Sequence, residues 1–290
     1  MQPCFLAVDI GASSGRHIVG TVQDGKITLQ EVYRFENGVR RENGHLCWNI
    51  DALAAEVVNG LKAAHDAGYT PATIGIDTWA VDFVLLDADG QRIGNAVAYR
   101  DERTEGVRET LERDYGLTFA EHYARTGIQY QKFNTVYQLM ALKQEHPDQL
   151  AAAKTFLMVP DYLNYLLCGV AANEYTNAST TALVGADSKD WDDALIAMLG
   201  LPRDIFQSVK MAGTVLGHLT PEMHIQGLDT CCRDNFFQPR KCKVRPLAGG
   251  WVGFVGVLCV IGREQFRPFG GKCGDIGGLC CWRKNFRQLV

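Results

Sequence analysis

The sequence predicts an α/β fold, and three observations carry that reading. Short apolar runs near the N-terminus end at turn residues, one later segment repeats its apolar residues at helical spacing, and a buried-strand pattern follows it. The first run is Phe5-Leu6-Ala7-Val8-Asp9-Ile10, which closes on Gly11-Ala12-Ser13-Ser14-Gly15. Residues 16–22 read as a second strand, Asp24-Gly25 as a hairpin turn, and residues 26–35 as a third strand. This is a β-meander rather than a βαβ unit. Residues 51–67 read as a helix, with Leu53, Val57, Val58 and Leu61 at spacings of three and four and Asp51 as N-cap or first-turn acid. Residues 73–77 form the buried strand, and residues 82–87 form another that ends in a turn at Asp89-Gly90. Residues 105–153 are mostly helical, and residues 161–167 form one more helix ending at Gly169.

Three strands, a helix and a further strand is the order of the ribonuclease-H-like unit found in the actin-like ATPase superfamily. A ribonuclease-H-like N-terminal domain is therefore the expected architecture. The chain has 290 residues, 47% hydrophobic and 21% charged, which excludes global disorder. It shows no run of ~18 apolar residues and no basic segment leading into an apolar signal core, so a cytoplasmic protein with no membrane span is expected. A net charge of −4 argues against nucleic acid as the main partner.

The averages conceal a break after Glu222. Residues 223–290 hold 7 of the 10 cysteines and 11 of the 30 glycines, with 11 Lys+Arg against 4 Asp+Glu and no Ser or Tyr. A single domain rarely changes its residue usage so abruptly. Residues 1–222 are expected to form the α/β domain, and residues 223–290 a poorly ordered tail, because Gly-rich sequence loses the most entropy on folding. The tail has no Cys-x-x-Cys pair, and its vicinal Cys231-Cys232 and Cys280-Cys281 suit neither zinc nor ordinary disulfides. The histidines show no metal spacing either.

Two segments and one tetrapeptide hold chemistry. Asp9-Ile10-Gly11-Ala12-Ser13-Ser14-Gly15-Arg16 is neither a Walker A loop nor a dinucleotide fingerprint, since Gly-Lys-Ser/Thr is missing and a strand follows. Its backbone N–H groups and hydroxyls cradle phosphate, with Asp9 on Mg²⁺ and Arg16 on phosphate oxygens, or else it is a plain hairpin with a structural Asp. In residues 74–83, Asp77, Thr78 and Asp82 offer bonds to a polyol and Trp79 an apolar face, or the segment is a turn around a buried indole. In Ala98-Tyr99-Arg100-Asp101, Arg100 and Asp101 bind vicinal hydroxyls or form a surface ion pair.

These residues resemble the N-terminal domain of the FGGY carbohydrate kinases. Matching segments are residues 9–16 and 75–83, Tyr99-Arg100-Asp101, Thr126-Gly127-Ile128-Gln129, residues 133–139, Pro160-Asp161-Tyr162 and residues 174–181, all in family order. The segments at 77–79 and 174–181 point to the branch that acts on L-rhamnulose. The resemblance implies ATP-dependent transfer of the γ-phosphoryl group to the 1-hydroxyl of L-rhamnulose, between two domains that close over the cleft. It implies that Ala12, Ser13, Ser14, Gly15 and Arg16 line the ATP phosphates and that Asp9 places Mg²⁺. It implies that Trp79, Ala80, Asp82, Arg100 and Asp101 face the sugar, with Ala80 standing where the family branch has Gly. It also implies a His-Asp-Thr segment shortly after His218, whose Asp is the general base. No His-Asp-Thr occurs here: Asp229-Thr230 follows Leu228. The second-domain pattern is likewise not found. The expectation is a chain whose residues after about 222 are an out-of-frame reading, leaving it unable to catalyse, or a non-catalytic remnant that binds sugar or nucleotide.

Overall fold

The computed structural model describes residues 4–223 and 230–233. Strands β1 (Cys4–Ile10), β2 (Ser14–Gln23) and β3 (Lys26–Glu36) form the expected antiparallel meander, and β4 (Val39–Glu42) and β5 (His45–Trp48) a hairpin after it. Helix α1 (Ile50–Asp66) leads to β6 (Pro71–Asp77), then β7 (Phe83–Leu86), β8 (Arg92–Ile93) and β9 (Ala96–Val97). Helices α2 (Val107–Tyr115), α3 (Phe119–Thr126), α4 (Thr135–Glu145) and α5 (Pro147–Ala152) precede β10 (Thr155–Met158) and α6 (Val159–Cys168). Then come β11 (Asn173–Glu174), α7 (Tyr175–Ser179), α8 (Asp193–Met198), β12 (Val209–Lys210), β13 (Val215–His218) and β14 (Cys231–Arg233).

The main sheet runs β13-β14-β6-β1-β2-β3. β1 pairs antiparallel with β2 and parallel with β6, and β14 is parallel to β6. Three antiparallel strands followed by two parallel ones is the ribonuclease-H-like order. β14 supplies the last of these, so the sheet runs past the composition break at Glu222. Among the described tail residues, Thr230 is fully buried and its Oγ1 donates to Pro71 O at 2.8 Å. The remaining tail residues, Asp229 included, lie outside the described residues.

β1 reads as a near-continuous apolar run because both its faces are covered. Leu6, Val8 and Ile10 pack into a core with Leu53, Val57 and Leu61 of α1 and Leu163 and Leu167 of α6. Phe5 and Ala7 face the other way, against Ile18, Val22 and Ile27. Each fully buried Leu, Val or Ile contributes roughly 1.5–3 kcal/mol. The N-cap of α1 is Asn49, whose side chain accepts from Ala52 N, two residues before the predicted span. Asp51 sits in the first turn and takes Arg92 at 2.8 and 2.9 Å. Gly60 is required by contact: a Cβ there would lie 2.3 Å from the His17 ring. That imidazole is fully buried with Nε2 at 3.2 Å from Val57 O, and burial holds it neutral, down to about 4. The helices of residues 105–153 pack around a second core with Phe83, Phe156, Trp191 and Phe206. β7 joins that unit through β10 and β8 rather than extending the main sheet.

Candidate functional site

Two turns meet at one edge of the main sheet because the strands before them are adjacent and parallel. Asp9 and Asp77 are register partners at the C-terminal ends of β1 and β6. In open α/β sheets this is the edge where ligands bind.

The turn after β1 is tied from outside. Gly11 N donates to Ser14 O at 2.8 Å, and Asn37 donates through N to Ser13 O at 3.0 Å and through Nδ2 to Gly11 O at 2.8 Å. Its carbonyls are thus engaged, and Ser13 is left exposed with Ala12 and Ser14 half-buried. The Ser13 and Ser14 hydroxyls have no hydrogen-bond partner among the described residues. Gly15 has a packing reason of its own: a Cβ there would lie 2.1 Å from the Phe35 ring. Arg16 and Asp9, which the sequence assigns to phosphate and metal, hold each other. Nε and Nη2 of Arg16 donate to Asp9 Oδ2 at 3.0 and 2.8 Å.

Asp77, which its segment offers to a polyol in the sequence reading, stands beside Asp9 at the paired strand ends. It is 4% exposed with Oδ1 unpartnered. Burial pushes its carboxyl well above the usual range, and the neighbouring charges of Asp9 and Glu174 add to the shift. One signal was available: both apolar runs, Phe5 to Val8 and Ile74 to Ile76, end on an aspartate.

The second turn is a polar hub rather than an open rack of ligands. Asp82 is fully buried, and its Oδ2 accepts from Trp48 Nε1 at 2.6 Å, Trp79 Nε1 at 2.8 Å and Tyr99 N at 3.0 Å. Its Oδ1 accepts from Gln138 Nε2 at 2.9 Å. Asp82, expected to face the sugar, has its carboxylate occupied by these four internal donors. Burial raises it to about 6 against those donors. Asp101 is engaged internally as well. Its oxygens accept from His45 Nδ1 at 3.0 Å, Leu46 N at 2.8 Å and Arg103 N at 3.0 Å, and it does not face Arg100 as an ion pair.

Behind this turn lie two buried indoles, Trp48 and Trp79, and two half-buried rings, Tyr99 and Phe133. Trp79 stacks on Trp48 with centroids 3.9 Å apart, and Tyr99 packs at 6.3 Å from Trp48 and 5.7 Å from Phe133. Arg100 is exposed, lies over the Tyr99 ring at 5.5 Å and donates through Nε to its hydroxyl at 3.1 Å. Ala80 is half-buried beside them. The structure therefore brings Trp79 and Arg100 together through Tyr99 and Asp82. The matched segment at 174–181 is interior: Glu174 is 2% exposed and caps α7, accepting from Asn177 N at 2.9 Å and Thr176 Oγ1 at 2.6 Å. Burial lifts Glu174 to about 7.

Comparison with known proteins places the chain in a family. A model described as the FGGY family of carbohydrate kinases, N-terminal domain, matches residues 4–230. A rhamnulokinase of Oceanobacillus iheyensis is 52% identical over 223 residues, covering 77% of this chain and 47% of that protein. One from Halalkalibacterium halodurans is 52% identical over 217 residues, covering 75% and 46%. The chain thus spans about half the length of the curated relatives it matches. Among solved structures, gluconate kinase from Lactobacillus acidophilus superposes with a TM-score of 0.70 at 15% identity, over 80% of this chain and 47% of that one. Xylulose kinase from Rhodospirillum rubrum gives 0.70 at 18% identity, over 80% and 49%. At such identities the likeness is one of fold, and the family assignment rests on the sequence matches. The chain belongs to the FGGY family of carbohydrate kinases and carries that family's N-terminal domain.

Proposed function

We propose that this chain holds one wall of an ATP-dependent kinase that transfers the γ-phosphoryl group to the 1-hydroxyl of L-rhamnulose, and that the chain as written does not complete the transfer. The observation that supports this most is the in-register pair Asp9 and Asp77, which gathers the Gly11–Arg16 and Thr78–Asp82 turns at one sheet edge. The similarity to proteins called rhamnulokinase supports the choice of sugar.

On this reading the N–H groups and hydroxyls of residues 12–14 cradle phosphate oxygens, and Arg16 places a positive charge beside them. Asp9 fits Mg²⁺, directly or through water, because Arg16 occupies only its Oδ2. Among the described residues no three ligating side chains cluster, which suits a cation that keeps waters and phosphate oxygens rather than a protein cage. When bound, the ion would neutralise charge on the phosphates. Trp79, Ala80 and Arg100 receive the sugar, with Asp82 holding the Trp79 indole and Asp101 pinning the adjacent loop through Leu46 N and Arg103 N. Proton acceptance is the missing function. His-Asp-Thr is absent from the sequence, and burial pushes the Asp77 carboxyl well above the usual carboxylate range. Loss of a general base alone costs roughly 10²–10⁴-fold.

Two measurements test this. Calorimetry on the chain should show heats for L-rhamnulose and for Mg-ATP, with no sugar-stimulated ADP release. Residues after about 222 are read as an out-of-frame translation, given the compositional break. Reading the coding DNA in the other two frames past codon 222 should restore His-Asp-Thr, and the restored protein should release ADP when L-rhamnulose is added. A restored protein that binds but shows no stimulation would refute the kinase reading and favour the second one, a non-catalytic sugar or nucleotide binder. A cytoplasmic setting is part of the proposal; among the described residues no helix is long and apolar enough to cross a membrane.

A further inference from the structure

The turn between β6 and β7 holds a backbone that its own residues disfavour. Val81 has φ 71°, a left-handed value that β-branched residues rarely adopt. Across it Asp82 N donates to Ala80 O at 3.0 Å, the hydrogen bond of a γ-turn. Such strain persists only where the surroundings over-determine it. Here α4 does so. Thr135 Oγ1 donates to Val81 O at 2.6 Å, and Gln138 Nε2 reaches the same oxygen at 3.2 Å, Asp82 Oδ1 at 2.9 Å and Phe133 O at 3.0 Å. The other end of that amide accepts from Arg103 Nη2 at 2.9 Å. Gln138 is 1% exposed.

We propose that Gln138 is a positioning residue for the sugar platform: it locks the Val81 turn and, through Asp82, sets the orientation of Trp79 and Ala80. This rests on the reading above that the turn faces the sugar. The residue type follows from its neighbours. An amide presents a donor to the anion Asp82 and an acceptor to the cation Arg103 at once. Glutamate would satisfy Arg103 but repel Asp82, and an apolar residue would leave Val81 O, Phe133 O and Arg103 each short of a partner. Asp82 Oδ2 receives both indoles and Tyr99 N, so one buried amide controls the whole aromatic face.

The test reads the indole Nε1–H resonances of Trp48 and Trp79 in the full ¹⁵N-labelled chain from pH 4.5 to 8. The charged group facing Asp82 is Arg103; behind it stand Asp101, Glu145 and Cys47, with His45 on Asp101. In the unmodified chain both indoles should move together with a midpoint of about 6. In Gln138→Met the shared midpoint should rise by about one pH unit, since the ionised carboxylate loses a donor, and L-rhamnulose should bind about tenfold more weakly. An unchanged midpoint would mean that Gln138 only packs, and would overturn the proposal. If that variant does not fold, Thr135→Val decides: a displaced Trp79 resonance supports the clamp, and a spectrum identical to the unmodified chain overturns it. Failure of the unmodified chain to bind L-rhamnulose would refute the functional reading of the site, while the indole titration would still decide the role of Gln138.

Discussion

Replacing Glu174 with glutamine should make the protein more stable at high pH and leave it nearly unchanged at low pH. Glu174 is 2% exposed, its Oε2 accepts two hydrogen bonds and its Oε1 has no partner. Burial raises it from 4.5 to about 7, with the Thr176 and Asn177 bonds opposing the shift. A carboxyl raised in the folded state adds stability that is fully present below its unfolded value and is lost as pH rises through the folded one. At about 1.36 kcal/mol per pH unit, that loss is about 3 kcal/mol by pH 8 and under about 1 kcal/mol at pH 5. Glutamine keeps an acceptor for Thr176 and Asn177 and carries no charge to bury. The variant's advantage should therefore grow by roughly 2–3 kcal/mol between pH 5 and pH 8, or about 5–10 °C in Tm for a domain of this size. Thermal unfolding of both proteins at the two pH values measures it. His17, held down at about 4, loses stability in the opposite direction as pH falls from 6.5, but it is common to both proteins and cancels in the difference. A variant-minus-parent difference that stays constant with pH would refute the claim that Glu174 ionises at a cost inside the fold.

Asp9→Asn should weaken Mg-ATP binding by roughly tenfold or more while affecting ATP without Mg²⁺ much less, as read by calorimetry in both conditions. Gly60→Ala should destabilise despite the helix-favouring residue: the new Cβ meets the His17 ring at 2.3 Å, and such overpacking costs about 1–3 kcal/mol against about 1 kcal/mol gained in propensity. The urea midpoint should fall with an unchanged slope. Thr230→Val removes the hydroxyl that donates to Pro71 O in the interior and should cost about 1–3 kcal/mol in the same experiment; no change would mean that β14 is not seated on β6.

The N-terminal meander, α1 and β6 were legible because local signals and tertiary demand agree there. Apolar runs end at Gly-rich or Asp-Gly turns, and the helical stripe of Leu53, Val57 and Leu61 is the face that packs on β1. The site was legible in position but not in role. Sequence spacing places Asp82 and Asp101 beside Trp79 and Arg100, yet cannot say which way a carboxylate points. The directions depend on donors far along the chain: Trp48 and Gln138 for Asp82, His45 and Leu46 for Asp101. Gln138 itself reads as an ordinary polar position in a mostly apolar helix, and Val81 carries no sign of its left-handed backbone in sequence.

The edge of the sheet beyond β6 shows why composition is a weak guide to strand formation. Parallel pairing is made by main-chain groups, which every residue in Cys231–Arg233 possesses whatever its side chain. The side chains need only avoid harm. Cys232 is fully buried in the core beside α6 and behaves as a small apolar residue, while Cys231 and Arg233, flanking it, are half-buried. Thr230 satisfies the carbonyl of Pro71 at the start of β6. A short segment of unrelated composition can therefore complete a ribonuclease-H-like sheet. The proposed phosphoryl transfer would depend on something stricter, a carboxylate able to accept a proton, and backbone pairing cannot supply that group.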